Sequence, residues 1–250
     1  MTDTLAPNAV APHLSGRFGT PYLYELECES TQKLLIGSGL PEGSVAATDH
    51  QTDGRGRLGR TWEEPAGSSV LVSVLLRPPV ERRLPELSLV AALAVAEAVE
   101  GTVVLAAQVK WPNDVMLNRR KVAGILSELS DGTVVVGIGI NANQAREELP
   151  QDSHTEPASL RTATGTTYDR AALLGSVLGR LERMYDVWME QGLDGVYGGL
   201  GARDFLRGRR ITADGEPATA TQILRDGRLE IETDAGDVKA LESGEVLFAR

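Results

Sequence analysis

A chain of 250 residues, 42% hydrophobic and 24% charged, has the composition of a soluble globular protein able to bury a real core, as one large domain or one plus a small appendage. Its formal net charge of -10 excludes a broad cationic surface for non-specific nucleic-acid binding. The single cysteine, Cys28, excludes an intrachain disulfide and a cysteine metal cluster, and no window reaches membrane-spanning length. A reducing, cytoplasmic setting with no nucleic-acid or membrane partner is therefore expected.

Residues 1–15 lack the positive start and apolar core of a signal peptide and read as a flexible Pro- and Ala-containing tail. Cys28 reads as a small apolar residue rather than a nucleophile. Glu29-Ser30-Thr31-Gln32 ahead of Lys33-Leu34-Leu35-Ile36 predicts a helix start capped by Ser30 or Thr31. Residues 44–47 predict a short strand that delivers the chain into a glycine-arginine loop, and 69–76 has the β-branched density of a buried strand. Residues 84–100 have helical spacing rich in alanine. Strands follow at 107–110, 122–129 and 133–140, the last two joined by a turn at Asp131-Gly132. The polar stretch 143–167, with Pro150 and Pro157, predicts an exposed loop, and 169–191 carries the apolar stripe of an amphipathic helix. From 211 onward, short apolar runs alternate with Asp-Gly and Gly-Asp pairs, the pattern of a small barrel of hairpins that must pack on the larger domain.

Three basic motifs stand out against the acidic background: Gln51-Thr52-Asp53-Gly54-Arg55-Gly56-Arg57-Leu58-Gly59-Arg60-Thr61-Trp62, then Lys110-Trp111-Pro112-Asn113-Asp114, then Lys121-Val122-Ala123-Gly124. Arginines beside turn-forming glycines suit a loop that holds an anion, with a nucleotide phosphate the natural candidate. Gly54, Gly56 and Gly59 satisfy a G-x-G-x-x-G pattern, but the polar approach and the Trp62 and Pro65 that follow are the wrong context for a dinucleotide fold. Three arginines within six residues repel one another until solvated or neutralised, so the loop is expected to order around an acyl phosphate, with Trp62 covering the ligand. Pro112 breaks the strand ladder and pushes Lys110, Asn113 and Asp114 toward an edge, where Lys110 meets a polyphosphate and Asp114 either holds Mg²⁺ or fixes a neighbouring base. Lys121 can reach a carboxylate or α-phosphate, Gly124 and Gly137 admit a flat ligand against the backbone, and Asn141 offers an amide to an adenine edge. His13, His50 and His154 match no metal spacing, and neither a Ser-His-Asp order nor a P-loop is present.

Together these residues resemble the biotin-protein ligases, also called biotin-[acetyl-CoA-carboxylase] ligases, from about Glu29 to the C-terminus. The resemblance implies an α+β fold: a mixed sheet with flanking helices, related to class II aminoacyl-tRNA synthetases, over 16–205, and a small SH3-like β-barrel over 206–250. It implies that biotin and MgATP give biotinyl-5′-AMP and pyrophosphate, and that biotin then passes to one lysine of a biotin carboxyl carrier domain of an acyl-CoA carboxylase. No tightly bound prosthetic group and no protein-held metal are implied. Carried over by motif, Ser30, Thr31 and Gln51 hydrogen-bond the ureido ring, with Gly54, Gly56, Gly124 and Gly137 as close backbone. Arg55 and Arg57 meet the adenylate phosphate and the biotin carboxyl, and Lys121 is the central catalytic lysine beside Lys110. Trp62, Lys110, Asn113, Asp114 and Asn141 fall to the nucleotide, and Arg250 matches more loosely.

Two positions depart from the family pattern, Gln32 where Asn is usual after Ser-Thr, and Gly244-Glu245-Val246 where Gly-Asp-Val is common. Only 29 residues precede Ser30, too few for the winged helix of bifunctional members, so a monofunctional ligase without operator binding is expected. The competing readings are a lipoate or octanoate ligase of the same superfamily, a catalytically dead adenylate-binding or carrier-docking regulator, and a DNA-binding repressor.

Overall fold

The strand run that begins at Ser69 is buried on both faces, and this double burial organises the molecule. The computed structural model describes residues 3–151 and 155–248, so His154 and Arg250 lie outside the described residues. In chain order the larger unit contains α1 (Pro7–Val10), β1 (Tyr22–Glu25), α2 (Thr31–Leu35), β2 (Val45–Thr48), β3 (Ser69–Leu76), α3 (Glu86–Val103), β4 (Ala107–Lys110), β5 (Asp114–Leu117), β6 (Arg120–Ser130), β7 (Thr133–Asn141), α4 (Leu160–Thr164), α5 (Arg170–Gln191) and α6 (Tyr197–Ala202). Then come β8 (Arg210–Ala213), β9 (Glu216–Ile223), β10 (Leu229–Thr233), β11 (Val238–Leu241) and β12 (Val246–Phe248).

Seven strands form one sheet in the order β1-β2-β3-β7-β6-β5-β4, parallel between β1 and β2 and antiparallel elsewhere. The period-2 alternation of strands divides the sheet cleanly. Val70, Val72 and Val74 of β3, Val136 and Ile138 of β7 and Ile125 of β6 enter the main core, which α3 and α5 cover. The alternate residues, Leu71 and Ser73, Gly137 and Gly139, and Gly124 and Leu126, line the other face, on which α2 packs. One face is thus filled with branched side chains, and the other is stripped almost to backbone where three glycines lie side by side.

The five remaining strands form an antiparallel sheet in the order β11-β10-β9-β8-β12, which fits a small SH3-like domain, so the molecule is α+β as expected. Ile211, Ala218, Ile223, Leu229 and Val246 belong to the same core as the large sheet. The junction is also polar and specific: the Trp111 indole N–H donates to Gly227 O at 2.9 Å, and Ile223 N–H to the buried Asp204 carboxylate at 2.9 Å.

Four sequence expectations are corrected. Residues 3–15 are no loose tail, because Leu5 and Val10 are fully buried and α1 packs beside α5. The fully buried Arg170 guanidinium holds this segment through Asp3 at 3.0 Å and also pairs with Asp49 at 3.0 Å. The long helix runs Glu86–Val103 rather than 84–100, since Pro85 occupies its N-cap and fixes the start. The polar stretch after Asn143 is not simply exposed: Lys121 N–H donates to Glu156 O and Ala158 N–H to Lys121 O, both at 2.8 Å, and Ser159 caps α4 by accepting from Thr162 N–H at 3.0 Å. Finally, Lys110 and Asp114 do not spill to an open edge. They face each other across a tight β4–β5 hairpin, whose turn contains the cis Trp111–Pro112 bond, and both are buried.

Candidate active site

The glycine floor of the sheet, the start of α2 and the glycine-arginine loop enclose a cleft of about 650 Å³, within the range of small-molecule sites. Its inner end is built from polar groups already tied together. Thr31 donates its N–H to Gln51 Oε1 at 2.9 Å, and the Thr31 and Ser73 hydroxyls are hydrogen-bonded at 2.7 Å. Gln32 lies over Gly137: its amide donates to Leu126 O at 3.1 Å, and a methyl on Gly137 would sit 3.0 Å from its Cδ. The space above Gly137 is therefore occupied by protein, which the sequence did not foretell. Gly124 and Gly139 instead lie under the Trp62 indole, at 3.1 and 2.7 Å from where a Cβ would stand.

The loop is a hairpin-like flap rather than an unstructured tract. Trp62 N–H donates to Gly54 O at 2.9 Å and Gly56 N–H to Arg60 O at 2.7 Å, and Leu58 turns its tip at a φ of 57°. Gly54 has no room for a side chain, because a Cβ there would collide with the Trp62 carbonyl oxygen. The three arginines are separated by partners in three different parts of the chain. Arg55 pairs with Glu128 of β6 at 2.9 Å, Arg57 donates to Asn113 Oδ1 at 3.2 Å, and Arg60 pairs with Glu245 ahead of β12. Only Arg57 meets a neutral group, and burial draws its guanidinium below the usual range. Buried Arg55 Nε and Trp62 Nε1 have no acceptor among the described residues, so the flap carries two donors suited to an anionic or carbonyl-bearing ligand.

Opposite the flap, one carboxylate organises two lysines. Lys121 Nζ is 2.7 Å from Asp114 Oδ1, and Lys110 Nζ is 3.8 Å from Oδ2. Burial lowers the Lys110 ammonium, and Asp114 pulls in the opposite direction. Lys121 also lies 5.8 Å from the Trp62 ring. Asp114 turns Oδ1 to Lys121 and Oδ2 to Lys110, an arrangement in which the carboxylate fixes a neighbouring base. Asn113 is anchored by donating to Ile125 O at 2.8 Å, and Asn141 by donating to Ala158 O and accepting from Gln144, both at 3.1 Å.

Every one of the site residues picked from sequence, from Ser30 to Asn141, borders this cleft or its flap. Gln32 and Glu245, noted in the sequence only as departures from the family pattern, prove to be a pocket wall and the partner of Arg60. Ser73, Glu128 and Glu64 were missed, since each acquires its role only from a partner distant in the chain.

A seven-stranded mixed sheet thus carries a glycine floor, an arginine flap above it and two lysines paired to one carboxylate at its edge. Residues 27–144 match the model of the biotin/lipoate A/B protein ligase family, and the chain belongs to that family. A structure of biotin protein ligase from Aquifex aeolicus in complex with biotin and ATP superposes with a TM-score of 0.83 at 33% identity, covering 92% of this chain and 98% of that one. Among curated relatives, the bifunctional ligase/repressor BirA of Bacillus subtilis is 36% identical over 183 residues, 70% of this chain. The biotin–[acetyl-CoA-carboxylase] ligase of Mycobacterium tuberculosis is 37% identical over 153 residues, 59% of this chain. The matches cover 56% of the length of each of these two relatives.

Proposed function

We propose that this protein is a biotin-protein ligase that makes biotinyl-5′-AMP from biotin and MgATP and passes the biotinyl group to a lysine of a carboxylase carrier domain. The observation that carries this is the continuity of the cleft, in which a pocket walled by Thr31, Gln32 and Gln51 opens onto the Lys110-Asp114-Lys121 cluster beneath the arginine flap. A flat ring with N–H and C=O groups suits the first part, and a carboxylate beside a polyphosphate suits the second. Ser30, Thr31 and Gln51 are assigned to the ring, and Trp62, Lys110, Asn113, Asp114 and Asn141 to the nucleotide side. Mg²⁺ enters with ATP as substrate. The relatives' names and the bound biotin and ATP of the Aquifex aeolicus enzyme support the assignment.

In the first step a biotin carboxylate oxygen bonds to the α-phosphorus, and the bond to the pyrophosphate oxygen breaks. Both reactants are anions, so Lys121, Lys110, Arg55 and Arg57 hold them together and stabilise charge on the phosphoryl oxygens. Asp114 keeps Lys121 directed into the cleft. In the second step the carrier lysine, as free amine, attacks the acyl carbon, AMP leaves, and the nitrogen sheds a proton. No helix of the described residues is long and apolar enough to cross a membrane, and a cytoplasmic setting with ATP and carboxylase at hand is part of the proposal.

Pyrophosphate-ATP exchange with biotin, lipoate or octanoate as the only acid tests this. Exchange with biotin alone is expected, followed by transfer to an isolated carrier domain. Exchange with lipoate or octanoate instead would move the chain to another branch of the family, and none with any acid would leave a binding protein.

A further inference from the structure

The Glu64 side chain is completely buried two residues after Trp62, where the flap rejoins the large sheet. Among the described residues no Lys or Arg pairs with it. Its Oε1 accepts the Gln51 backbone N–H at 3.1 Å, and its Oε2 has no partner among the described residues. His50, whose side chain is 31% exposed, turns a shielded Nδ1 that lacks a hydrogen bond to within 3.4 Å of Oε1. On the other strand of the flap's neck, Cys28 N–H donates to His50 O at 3.1 Å, and Thr52 N–H to Cys28 O at 2.9 Å. Gln51 is thus held from both sides, and its backbone N–H has a side chain as acceptor where a strand neighbour would ordinarily serve.

We propose that Glu64 is a positioning residue of the ligand site: with His50 it clasps the two ends of the flap and fixes Gln51, whose amide oxygen accepts from Thr31 in the pocket. The chain of contacts runs without a gap from Glu64 Oε1 to Gln51 N, and from Gln51 Oε1 to Thr31 N at 2.9 Å and on to Ser73. Opening the flap severs the first link and brings Glu64 into water.

The clasp is also sensitive to pH. The titratable groups bearing on Glu64 are His50, the like-charged Glu63 and the Cys28 thiol. Burial, reinforced by Glu63, pushes the carboxyl up to about 7. In the open flap the same carboxyl is solvated and returns toward its ordinary value. The closed form therefore binds the proton more tightly, and closure is favoured at acid pH and weakens as pH rises through about 7.

The proposal rests on the ligase reading only for the choice of biotin as probe. Backbone hydrogen exchange of residues 52–63 is compared in the ligand-free wild type, Glu64→Gln and Glu64→Ala from about pH 5.5 to 8.5, and biotin affinity is measured by calorimetry on the same proteins. At each pH the Gln variant, which keeps an acceptor but cannot ionise, cancels the intrinsic pH dependence of exchange. Relative to Glu64→Gln, flap exchange in the wild type should rise with pH through neutrality. Glu64→Ala should speed exchange and weaken biotin binding by about tenfold, and Glu64→Gln should restore most of both. Equal exchange in all three proteins, or a wild-type to Glu64→Gln exchange ratio that does not change with pH, would overturn the proposal. If Glu64→Ala does not fold, the comparison of wild type with Glu64→Gln decides by itself. Failure of the wild type to bind biotin would remove the ligase reading, and flap exchange would still decide the clasp.

Discussion

At the residue scale Asp114, in a β4–β5 hairpin where the sequence pointed to a strand broken at Pro112, holds Lys121 of β6 at 2.7 Å. Lys121→Ala should lower pyrophosphate exchange about a hundredfold, the order of 3 kcal/mol that one preorganised charge-assisted contact supplies. It should also lower the melting temperature slightly, because buried Asp114 keeps only the more distant Lys110. Unchanged exchange kinetics would remove Lys121 from the mechanism. Glu64 gives a second expectation, on stability. Its carboxyl is near 7 in the fold against about 4.5 when solvated, so the folded protein binds the extra proton between these values. Its contribution is fully present below about pH 4.5 and is lost as pH rises through 7, with a ceiling on the order of 3 kcal/mol. The stability difference between wild type and Glu64→Gln in urea should therefore shift against the wild type from pH 5 to pH 8. A difference independent of pH would show a solvated carboxylate. The lysines and arginines were legible because cationic residues beside glycines are conspicuous in an acidic chain. Glu64 was not, because Trp62-Glu63-Glu64-Pro65 reads as an ordinary charged loop until burial singles out one of its carboxylates.

At the element scale the strands with β-branched density were legible to within a residue or two, β3 and β4 fully so, and the Asp131-Gly132 turn takes positive φ at both positions as its chemistry requires. β1 and β5 were not. β1 begins directly after Pro21 and β5 lies inside a Pro-Asn-Asp context, and both settings signal a turn rather than a strand. The glycine floor was legible as a pattern, but its occupant was not. Gly139 and Gly124 make room for a protein side chain, the Trp62 indole, as much as for a ligand. Gly139→Ala places a methyl 2.7 Å from that ring with rigid sheet beneath, so the indole must leave. Biotin affinity should fall by at least about tenfold and the Trp62 fluorescence should shift to the red, since overpacking here costs about 1–3 kcal/mol. Wild-type affinity in Gly139→Ala would mean that the flap re-seats without Trp62 on the floor.

At the scale of the whole molecule, the small sheet is a wall of the cleft as well as an appendage. Gly244 to Leu247 border the same cavity as the glycine floor, Phe248 packs edge-on against Phe205 at 4.8 Å, and Glu245 reaches the flap through Arg60. Two kinds of link therefore join the units, and they should separate on mutation. Asp204 is structural: its buried carboxylate accepts Leu206 N–H at 3.0 Å and Ile223 N–H at 2.9 Å, so Asp204→Ala orphans two backbone donors and should cost on the order of 2–4 kcal/mol. Because both sheets share one core, that loss should lower a single cooperative urea transition rather than split it into two. Glu245 has the opposite profile. Its ion pair with Arg60 is largely solvated, and such pairs contribute about 0–1 kcal/mol, so Glu245→Ala should leave the unfolding transition nearly where it was. It should nevertheless speed hydrogen exchange at the flap's tip, since Arg60 loses its carboxylate partner beyond the large sheet while the flap keeps its inner contacts through Arg55, Arg57 and Trp62. A Glu245→Ala protein with flap exchange identical to wild type would mean that the small sheet stabilises the core without governing access to the site.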